Sequence, residues 1–277
     1  MEQIGLLHDG QIYDLQTAEA LNIKGDIIKA DDSKESLEIL RHSCAHMMAQ
    51  AIKELYPEAK FFVGPVVKEG FYYDFKVESK ISDEDLPTIE KKMKEIADRK
   101  LPITRHETTK EEFYEKFKND ELKQAVLKNI KDDTLTIYKQ GDFEDLCRGP
   151  HLPNTRMIRS FKLTRVAGAY LGGDEKNEMI TRIYGIAFFD KQALFDYTKM
   201  IEEAKKRDHR KLGTELELFT FNDDVGAGLP MWLPNGARLR SKLEHLLYKA
   251  HRVRGYEPVR GPEILKSEMW KISGHYA

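Results

Sequence analysis

The sequence predicts an α+β protein with more than one hydrophobic core. Its 277 residues exceed the roughly 100–200 residues that a single core usually serves. Segments with apolar residues at helical spacing occur together with short β-branched and aromatic runs bounded by turn residues. Apolar residues make up 40% and charged residues 33% of the chain, which argues against both a membrane protein and a disordered one.

The N-terminal half is predicted to hold a small strand-and-turn element, two helices and a hairpin. Residues 1–30 are too few for a core of their own. Apolar residues at three- and four-residue intervals predict a helix over 33–56, capped by Asp32 and ended by Pro57. The pattern then predicts two strands joined by a turn, at 61–67 and 71–75, and an amphipathic helix over about 83–99.

The C-terminal half continues the mixture of helices and strands. A charged helical stretch is expected over about 109–130, and a loop over 141–153. Strands are predicted at 134–138, 161–166, 169–171 and 179–188. A long helix over 191–212, with cations near its end, is typical of a connector between domains.

Charge and cysteine content limit the functional classes. Lys plus Arg (45) nearly balance Asp plus Glu (47), so nucleic-acid contact would have to come from local basic patches. Cys44 and Cys147 are too few for a disulfide framework, and the start of the chain lacks a secretory signal. No apolar run approaches the about 20 residues of a membrane span, so a cytoplasmic location without membrane contact is expected.

His42 and His46 are the first candidate site residues. Four residues apart on the predicted helix, their rings project from one face, as a shared metal or a pair of acid/base groups would require. They lie roughly opposite the apolar stripe, which disfavours a core role. The helix alone therefore favours the alternative of two solvated surface histidines.

The second group of candidates lies about a hundred residues further on. Asp145, Cys147 and His151 belong to a loop in which Gly149 and Pro150 predict a tight turn. One cysteine and three histidines would suit tetrahedral zinc at about 2.0–2.3 Å. The alternatives are a buried, inert Cys147 and a His151 bonded to backbone, and a site and a coincidence are about equally supported.

Five sequence blocks together resemble one known family. They are Arg41-His42-Ser43-Cys44-Ala45-His46, Gly64-Pro65-Val66 with Gly70-Phe71-Tyr72-Tyr73-Asp74, Asp145-Leu146-Cys147-Arg148-Gly149-Pro150-His151, Gly168-Ala169-Tyr170 with Gly173-Asp174, and Arg182-Ile183-Tyr184-Gly185. In order and spacing along 33–190 they resemble the editing domain of bacterial threonyl-tRNA synthetases. Residues 207–213 resemble the linker of that family, and residues 255–262 resemble the first class II motif, a helix and strand at the dimer interface.

The resemblance implies four regions. They are a partial ubiquitin-like remnant (1–32), a mixed editing domain with an antiparallel sheet and packed helices (33–200), a helical linker (201–215) and the start of a class II catalytic domain (216–277). Residues 1–32 resemble only the second half of the usual N-terminal module. The second and third class II motifs and the catalytic zinc ligands do not appear by Ala277, so this chain is not expected to form threonyl-adenylate or charge tRNA.

The implied activity is hydrolysis of serine from mischarged tRNA(Thr). The substrate would be the tRNA(Thr) 3′ end carrying serine, and no cofactor or metal would be required for editing. ATP, magnesium and zinc would serve the catalytic part of the full-length homodimer. The expected site consists of His42, His46 and His151 around the ribose and water, Cys147 facing the aminoacyl group, Asp145 on its ammonium or on a histidine, and Lys123 in water activation.

The roles of Lys123 and of four basic residues each have an alternative interpretation. For Lys123, an exposed helix lysine is slightly favoured over a catalytic one. Arg156, Arg159, Lys162 and Arg165 are the best candidates for tRNA phosphate contact, against an equally supported strand edge protected by charge.

Two other functions compete with editing. A free-standing zinc hydrolase would use His42, His46, Cys147 and His151 as metal ligands. A non-catalytic RNA-binding or dimerising module would depend on the class II segment near the end of the chain.

Overall fold

Helices and antiparallel sheets build the chain, which confirms the predicted α+β class. The computed structural model describes residues 2–128, 130–226, 228–261 and 266–275. It separates two units, Met1–Lys199 and Met200–Ala277. Within the described residues, none of the helices combines the length and the apolar character needed to span a bilayer.

The first unit begins with a small element that we call the N-terminal element, residues 2–30. It consists of β1 (Gln3–His8), β2 (Gln11–Asp14), α1 (Leu15–Ala20) and β3 (Asp26–Lys29). Its strands form an antiparallel sheet in the order β2-β1-β3. Ile4 and Ile28 are buried in the main core, so this element shares the core of the unit.

The rest of the first unit contains two further sheets and five further α-helices within the described residues. The elements are α2 (Lys34–Leu55), β4 (Lys60–Phe61), β5 (Val66–Val67), β6 (Gly70–Lys76), α3 (Leu86–Asp98), β7 (Ile103–Thr109), α4 (Lys110–Lys116), α5 (Glu121–Lys128), β8 (Thr134–Gln140), β9 (Phe143–Leu146), β10 (Ser160–Tyr170), β11 (Met179–Phe188) and α6 (Lys191–Lys206). The larger sheet has the order β10-β11-β6-β4, with β5 also paired to β6. The smaller sheet has the order β7-β8-β9.

Helix α2 is the centre of the core. Fifteen of its 22 residues are buried, more than one apolar stripe could supply. It contacts β1 and β3 of the N-terminal element, β6 and β11 of the larger sheet, α3, and β9 of the smaller sheet. The expected Asp32 cap is wrong, because Ser33 occupies the N-cap position while the Asp32 carboxylate accepts a hydrogen bond from the backbone N–H of Phe189 at 2.7 Å.

Several predicted boundaries near the smaller sheet need correction. The helical stretch over 109–130 is two helices, α4 and α5, separated at residues 117–120. The predicted loop over 141–153 contains β9, which pairs with β8 from Gln140↔Phe143 to Ile137↔Leu146. The two strands expected at 161–166 and 169–171 form one continuous strand, β10, which has a bulge between Leu163 and Arg165. The strand over 179–188 is confirmed.

In the second unit, a short hairpin precedes a long helix. Beyond the end of α6, its elements are α7 (His209–Glu215), β12 (Phe219–Thr220), β13 (Met231–Trp232), α8 (Pro234–Arg252) and α9 (Ser267–Ile272). The connector predicted over 191–212 is therefore interrupted between Lys206 and His209. No strand occurs in the described residues 253–261 of the class II segment, and Pro262 lies outside the described residues.

The central position of α2 predicts a large effect of truncating it. Replacing the fully buried Leu40 by alanine should lower the free energy of unfolding by about 2–5 kcal/mol, because a cavity remains in the core. Leu21, which is 57% exposed, is the matched control, and its replacement by alanine should change that value by no more than about 0.5 kcal/mol. Urea denaturation of both variants measures the difference, and equal losses would contradict the burial of α2.

Candidate active site

Two histidines on α2 begin the candidate site. His46 is buried and His42 is half-buried, so the interpretation as two solvated surface histidines is wrong. His46 packs edge-on against Phe143 of β9, with the ring centroids 6.2 Å apart. The apolar stripe of α2 faces one layer of the core, while the opposite side is covered by β9 and the following loop. Periodicity alone therefore could not reveal this second cover.

The site loop, residues 147–153, brings the remaining side chains back to α2. Gly149 has φ +74°, and a Cβ on it would lie 2.6 Å from the Tyr138 hydroxyl, so only glycine fits here. Its backbone N–H donates to Cys147 Sγ at 3.2 Å. The turn directs His151 towards α2, where Ser43 Oγ accepts a hydrogen bond from the backbone N–H of Leu152 at 2.8 Å.

The histidine–cysteine cluster consists of His42, His46, Cys147 and His151. Cys147 Sγ lies 3.1 Å from Nε2 of His42 and 3.2 Å from Nε2 of His151. The ring of His151 has its centroid 4.3 Å from that of His42 and 4.3 Å from that of His46. One ligand atom from each of the four residues lies within 4.8 Å of the others. The structure thus brings together four side chains from two segments a hundred residues apart.

Burial determines the charge of this cluster. Desolvation lowers the pKa of His42 to about 4, and it lowers the pKa values of His46 and His151 well below their ordinary value. Desolvation also raises the pKa of the Cys147 thiol, since a thiolate would be poorly solvated there. Near pH 7 the cluster therefore presents three neutral imidazoles and a protonated thiol.

Beside the cluster lies a buried pair of opposite formal charge. The Lys123 ammonium contacts the Asp145 carboxylate, which also accepts hydrogen bonds from the Tyr73 hydroxyl and from the backbone N–H of Leu146. Burial lowers the pKa of Lys123 to about 8 and raises the pKa of Asp145. The interpretation of Lys123 as an exposed helix lysine is wrong, because the break between α4 and α5 turns this face of α5 inward.

Comparison with known proteins decides the family. A family model described as "Threonyl and Alanyl tRNA synthetase second additional domain" matches residues 135–184. Threonine–tRNA ligases of Campylobacter jejuni (strain 81116) and Helicobacter hepaticus are 68% and 66% identical over 276 residues, each covering 100% of this chain and 46% of the relative. The chain belongs to the threonyl-tRNA synthetase family.

A third relative shows the same similarity over a shorter alignment. The threonine–tRNA ligase of Campylobacter lari is 73% identical over 247 residues, covering 89% of this chain and 41% of that protein. The chain thus spans less than half the length of the curated relatives that it matches. The resemblance found from five sequence blocks is confirmed, and the segment matched by the family model includes β8, β9 and the site loop.

Sequence reasoning missed four polar side chains around the cluster. Ser43 Oγ lies 3.2 Å from Nδ1 of His151, and the ring of Tyr138 packs on the His151 imidazole at a centroid distance of 4.5 Å. Asp14 accepts a hydrogen bond from the backbone N–H of His151 at 3.1 Å. Ser43 and Tyr73 lie within the quoted sequence blocks, which was an available signal, whereas nothing in the local sequence marks Asp14 or Tyr138.

The predicted basic cluster lies exposed at the edge of the larger sheet. The set comprises Arg156, Arg159, Lys162 and Arg165. Arg159 pairs with Asp98 of α3 at 2.5 Å, and the Arg165 guanidinium stacks on Tyr184, 4.1 Å from the ring centroid. Backbone N–H groups on the outer edge of β10 also donate hydrogen bonds to acidic side chains on α3 and just before it. Both proposed roles, phosphate contact and edge protection, are compatible with this position.

A surface cleft reaches the cluster from outside. It has a volume of about 380 Å³, and Cys147 belongs to its lining. Thr17 and Leu21 of the N-terminal element form part of its wall, together with Arg105 and Arg148. The cleft therefore combines apolar surface and two arginines next to Cys147.

The lowered pKa values of the three histidines predict a loss of stability in acid. Between about pH 6.5 and pH 4, His42 binds a proton in the unfolded chain but remains neutral in the native state. Each such histidine adds a slope of about 1.4 kcal/mol per pH unit, so the free energy of unfolding falls as the pH drops through this range.

Urea denaturation at several pH values checks this expectation. In a His46→Gln variant, the free energy of unfolding should depend less steeply on pH, by the contribution of one histidine, because an amide does not titrate. The exposed His8 is the matched control, because a His8→Gln variant carries the same substitution outside the cluster, and the slopes of the two variants are compared. An unchanged slope in the His46→Gln variant would contradict the pKa assignment.

Proposed function

We propose that this chain is the editing part of a threonyl-tRNA synthetase and hydrolyses the ester of seryl-tRNA(Thr). The observation that carries the proposal is the convergence of three neutral imidazoles and a thiol next to the buried Lys123–Asp145 pair. Family membership adds the class of substrate. The full-length enzyme would ligate threonine to tRNA(Thr) as a homodimer, using ATP with magnesium and a catalytic zinc.

The need for a second site follows from the small chemical difference between serine and threonine. One methyl group changes the binding free energy by only about 1–3 kcal/mol, which limits discrimination in a single pocket to about 10- to 200-fold. A second, hydrolytic site that admits serine and excludes threonine adds its own selectivity, and the overall discrimination is the product of the selectivities of the two sites. The closely packed rings of the cluster would provide such exclusion, because an extra methyl needs space between them.

The protonation states favour direct attack by water over a covalent cysteine intermediate. A nucleophilic cysteine acts as the thiolate, and burial raises the pKa of the Cys147 thiol. In the proposed reaction the oxygen of water bonds to the ester carbon, and the bond to the ribose oxygen breaks. A base takes one proton from the water, and the departing ribose oxygen receives a proton.

Neutral groups in the site can accept that proton. An imidazole that is neutral near pH 7 has a free nitrogen lone pair, and His42, His46 and His151 all meet this condition. Lys123, with its pKa lowered to about 8, would also be partly neutral near physiological pH. Asp145 would bind the ammonium of the aminoacyl group or orient a neighbouring base.

The tRNA would reach the site across cationic surface. Arg105 and Arg148 in the wall of the cleft would attract phosphates close to the 3′ end. The basic cluster at the edge of the larger sheet would contact phosphates further along the acceptor arm. Contacts between cationic side chains and phosphates depend on salt rather than on base sequence.

Metal-dependent hydrolysis is the second candidate, because the four ligand atoms of the cluster fit one ion. Cys147 and three histidines are the donor set of tetrahedral zinc. Zinc bound there would hold the cysteine as a thiolate, and it would lower the pKa of a bound water only if one of the four side chains left its coordination position open. The thiol of Cys147 must lose its proton before it binds zinc, so occupancy of such a site would increase with pH.

The first test compares two esters. We predict that the purified chain deacylates seryl-tRNA(Thr) at least about tenfold faster than threonyl-tRNA(Thr), the lower end of discrimination by one methyl group. The loss of aminoacyl label from each tRNA is measured under the same conditions. Equal rates on both esters, or no hydrolysis by folded protein, would contradict the proposed function.

The second test removes single members of the cluster. His42→Ala and His151→Ala variants should hydrolyse seryl-tRNA(Thr) about 10²-fold or more slowly, since a positioned acid/base group typically contributes that factor. A His8→Ala variant, changed at an exposed histidine, serves as the matched control and should keep the parent rate.

Two further measurements accompany these variants. Circular dichroism distinguishes loss of a catalytic group from loss of structure, and an unfolded His42→Ala protein would show that the residue is structural. Dialysis against a chelator should leave the rate unchanged. Loss of activity on chelation, restored by zinc, would support the metal-dependent alternative.

A further inference from the structure

One carboxylate of the N-terminal element reaches the site loop. Asp14 ends β2 and caps α1, where its Oδ1 accepts a hydrogen bond from the backbone N–H of Thr17 at 2.8 Å. Its Oδ2 accepts one hydrogen bond from the Tyr138 hydroxyl at 2.6 Å and another from the backbone N–H of His151 at 3.1 Å. The residue is only 2% exposed.

This arrangement differs from ordinary helix capping. A capping aspartate needs one oxygen for the helix and usually leaves the other in water. Here the second oxygen is also buried, and its two donors belong to β8 and the site loop. Because a buried carboxylate is stable only when it is hydrogen-bonded, these partners constrain each other strongly.

The contacts of Asp14 determine where the imidazole of His151 lies. One contact holds the backbone nitrogen of His151, and the other holds Tyr138, on whose ring the imidazole packs. Ser43 holds the remaining side of the ring through Nδ1 at 3.2 Å. Nε2 of His151 is then left next to Cys147 Sγ, within the cluster.

We infer that Asp14, a residue of the N-terminal element, is a positioning residue for the hydrolysis of mischarged tRNA. Asp14 acts through His151, and it keeps the imidazole in register with His42 and His46. This inference rests on the proposed function. A displacement of about 1 Å at a reacting group can reduce a rate by about 10²-fold, so loss of the Asp14 contacts should affect turnover strongly.

A second contact of the same element provides a matched control. Gln16 docks the N-terminal element on β7, where its side-chain N–H donates to the carbonyl of Ile103 at 2.6 Å. Its Oε1 accepts a hydrogen bond from the backbone N–H of Arg105 at 2.7 Å. A Gln16→Ala variant therefore weakens the docking of the element without removing any bond to the site loop.

Two substitutions at Asp14 separate capping from positioning. Asp14→Asn keeps the shape of the side chain but replaces one acceptor oxygen by a donor, so the cap and the site loop can no longer both be satisfied. Asp14→Ser retains a good helix cap and is too short to reach His151. If the asparagine variant does not fold, the serine variant still tests the inference.

The experiment measures kcat and KM for seryl-tRNA(Thr) with the full 277-residue chain. We expect both Asp14 variants to lower kcat by about 10- to 100-fold, with KM within about twofold of the parent value. Gln16→Ala should keep kcat within about twofold. An unchanged kcat in the Asp14 variants, an equal loss in Gln16→Ala, or a change in KM alone would overturn the inference.

A readout that does not depend on activity accompanies the kinetics. Hydrogen exchange of the His151 backbone amide, followed by NMR, should be at least about tenfold faster in Asp14→Ser, which loses the acceptor, and unchanged in Gln16→Ala, which keeps it. Equal exchange in the parent chain and in Asp14→Ser would overturn the positioning role. An inactive parent chain with the expected exchange pattern would instead refute the proposed function and restrict Asp14 to holding the loop.

Discussion

The desolvation of polar side chains on α2 is the constraint on which the rest of the first unit depends. A helix covered on nearly all sides cannot leave the histidine side unpartnered, because buried polar groups need hydrogen bonds or close polar neighbours. The partners come from Cys147 and His151 on the site loop. The same burial that requires these contacts keeps the imidazoles neutral, so packing and chemical character have one cause.

Local sequence predicted the elements better than it predicted how they are covered. The 3.6-residue period located α2 and placed His42 and His46 on one side, but a period records only where apolar residues recur. It cannot register a second layer that covers polar residues. The same limit explains the wrong interpretation of Lys123. Its burial depends on the break between α4 and α5, whereas the charge pattern predicted one continuous helical stretch. Neither Asp14 nor its partners form a local pattern, since they meet only in the folded chain.

Resemblance to a family and physical reasoning contributed different parts of the site. The quoted blocks identified the cluster residues and Asp145, while burial and hydrogen bonding supplied their protonation and the supporting side chains. Lys123 and Asp145 illustrate the difference. Their chemical types alone imply a surface ion pair, whereas their joint burial draws both groups towards their neutral forms.

The hydrogen bond between Asp14 and the backbone of His151 has a consequence for synthesis of the chain. Its two ends are 137 residues apart, so at about 5–20 residues per second roughly 7–27 s pass between their emergence from the peptidyl-transfer centre. During that interval the carboxylate can remain hydrated, and the first three strands lack the layer that later covers them. This bond therefore cannot form before residue 151 has been added, and a nascent chain that stalls before the site loop holds a solvent-accessible carboxylate.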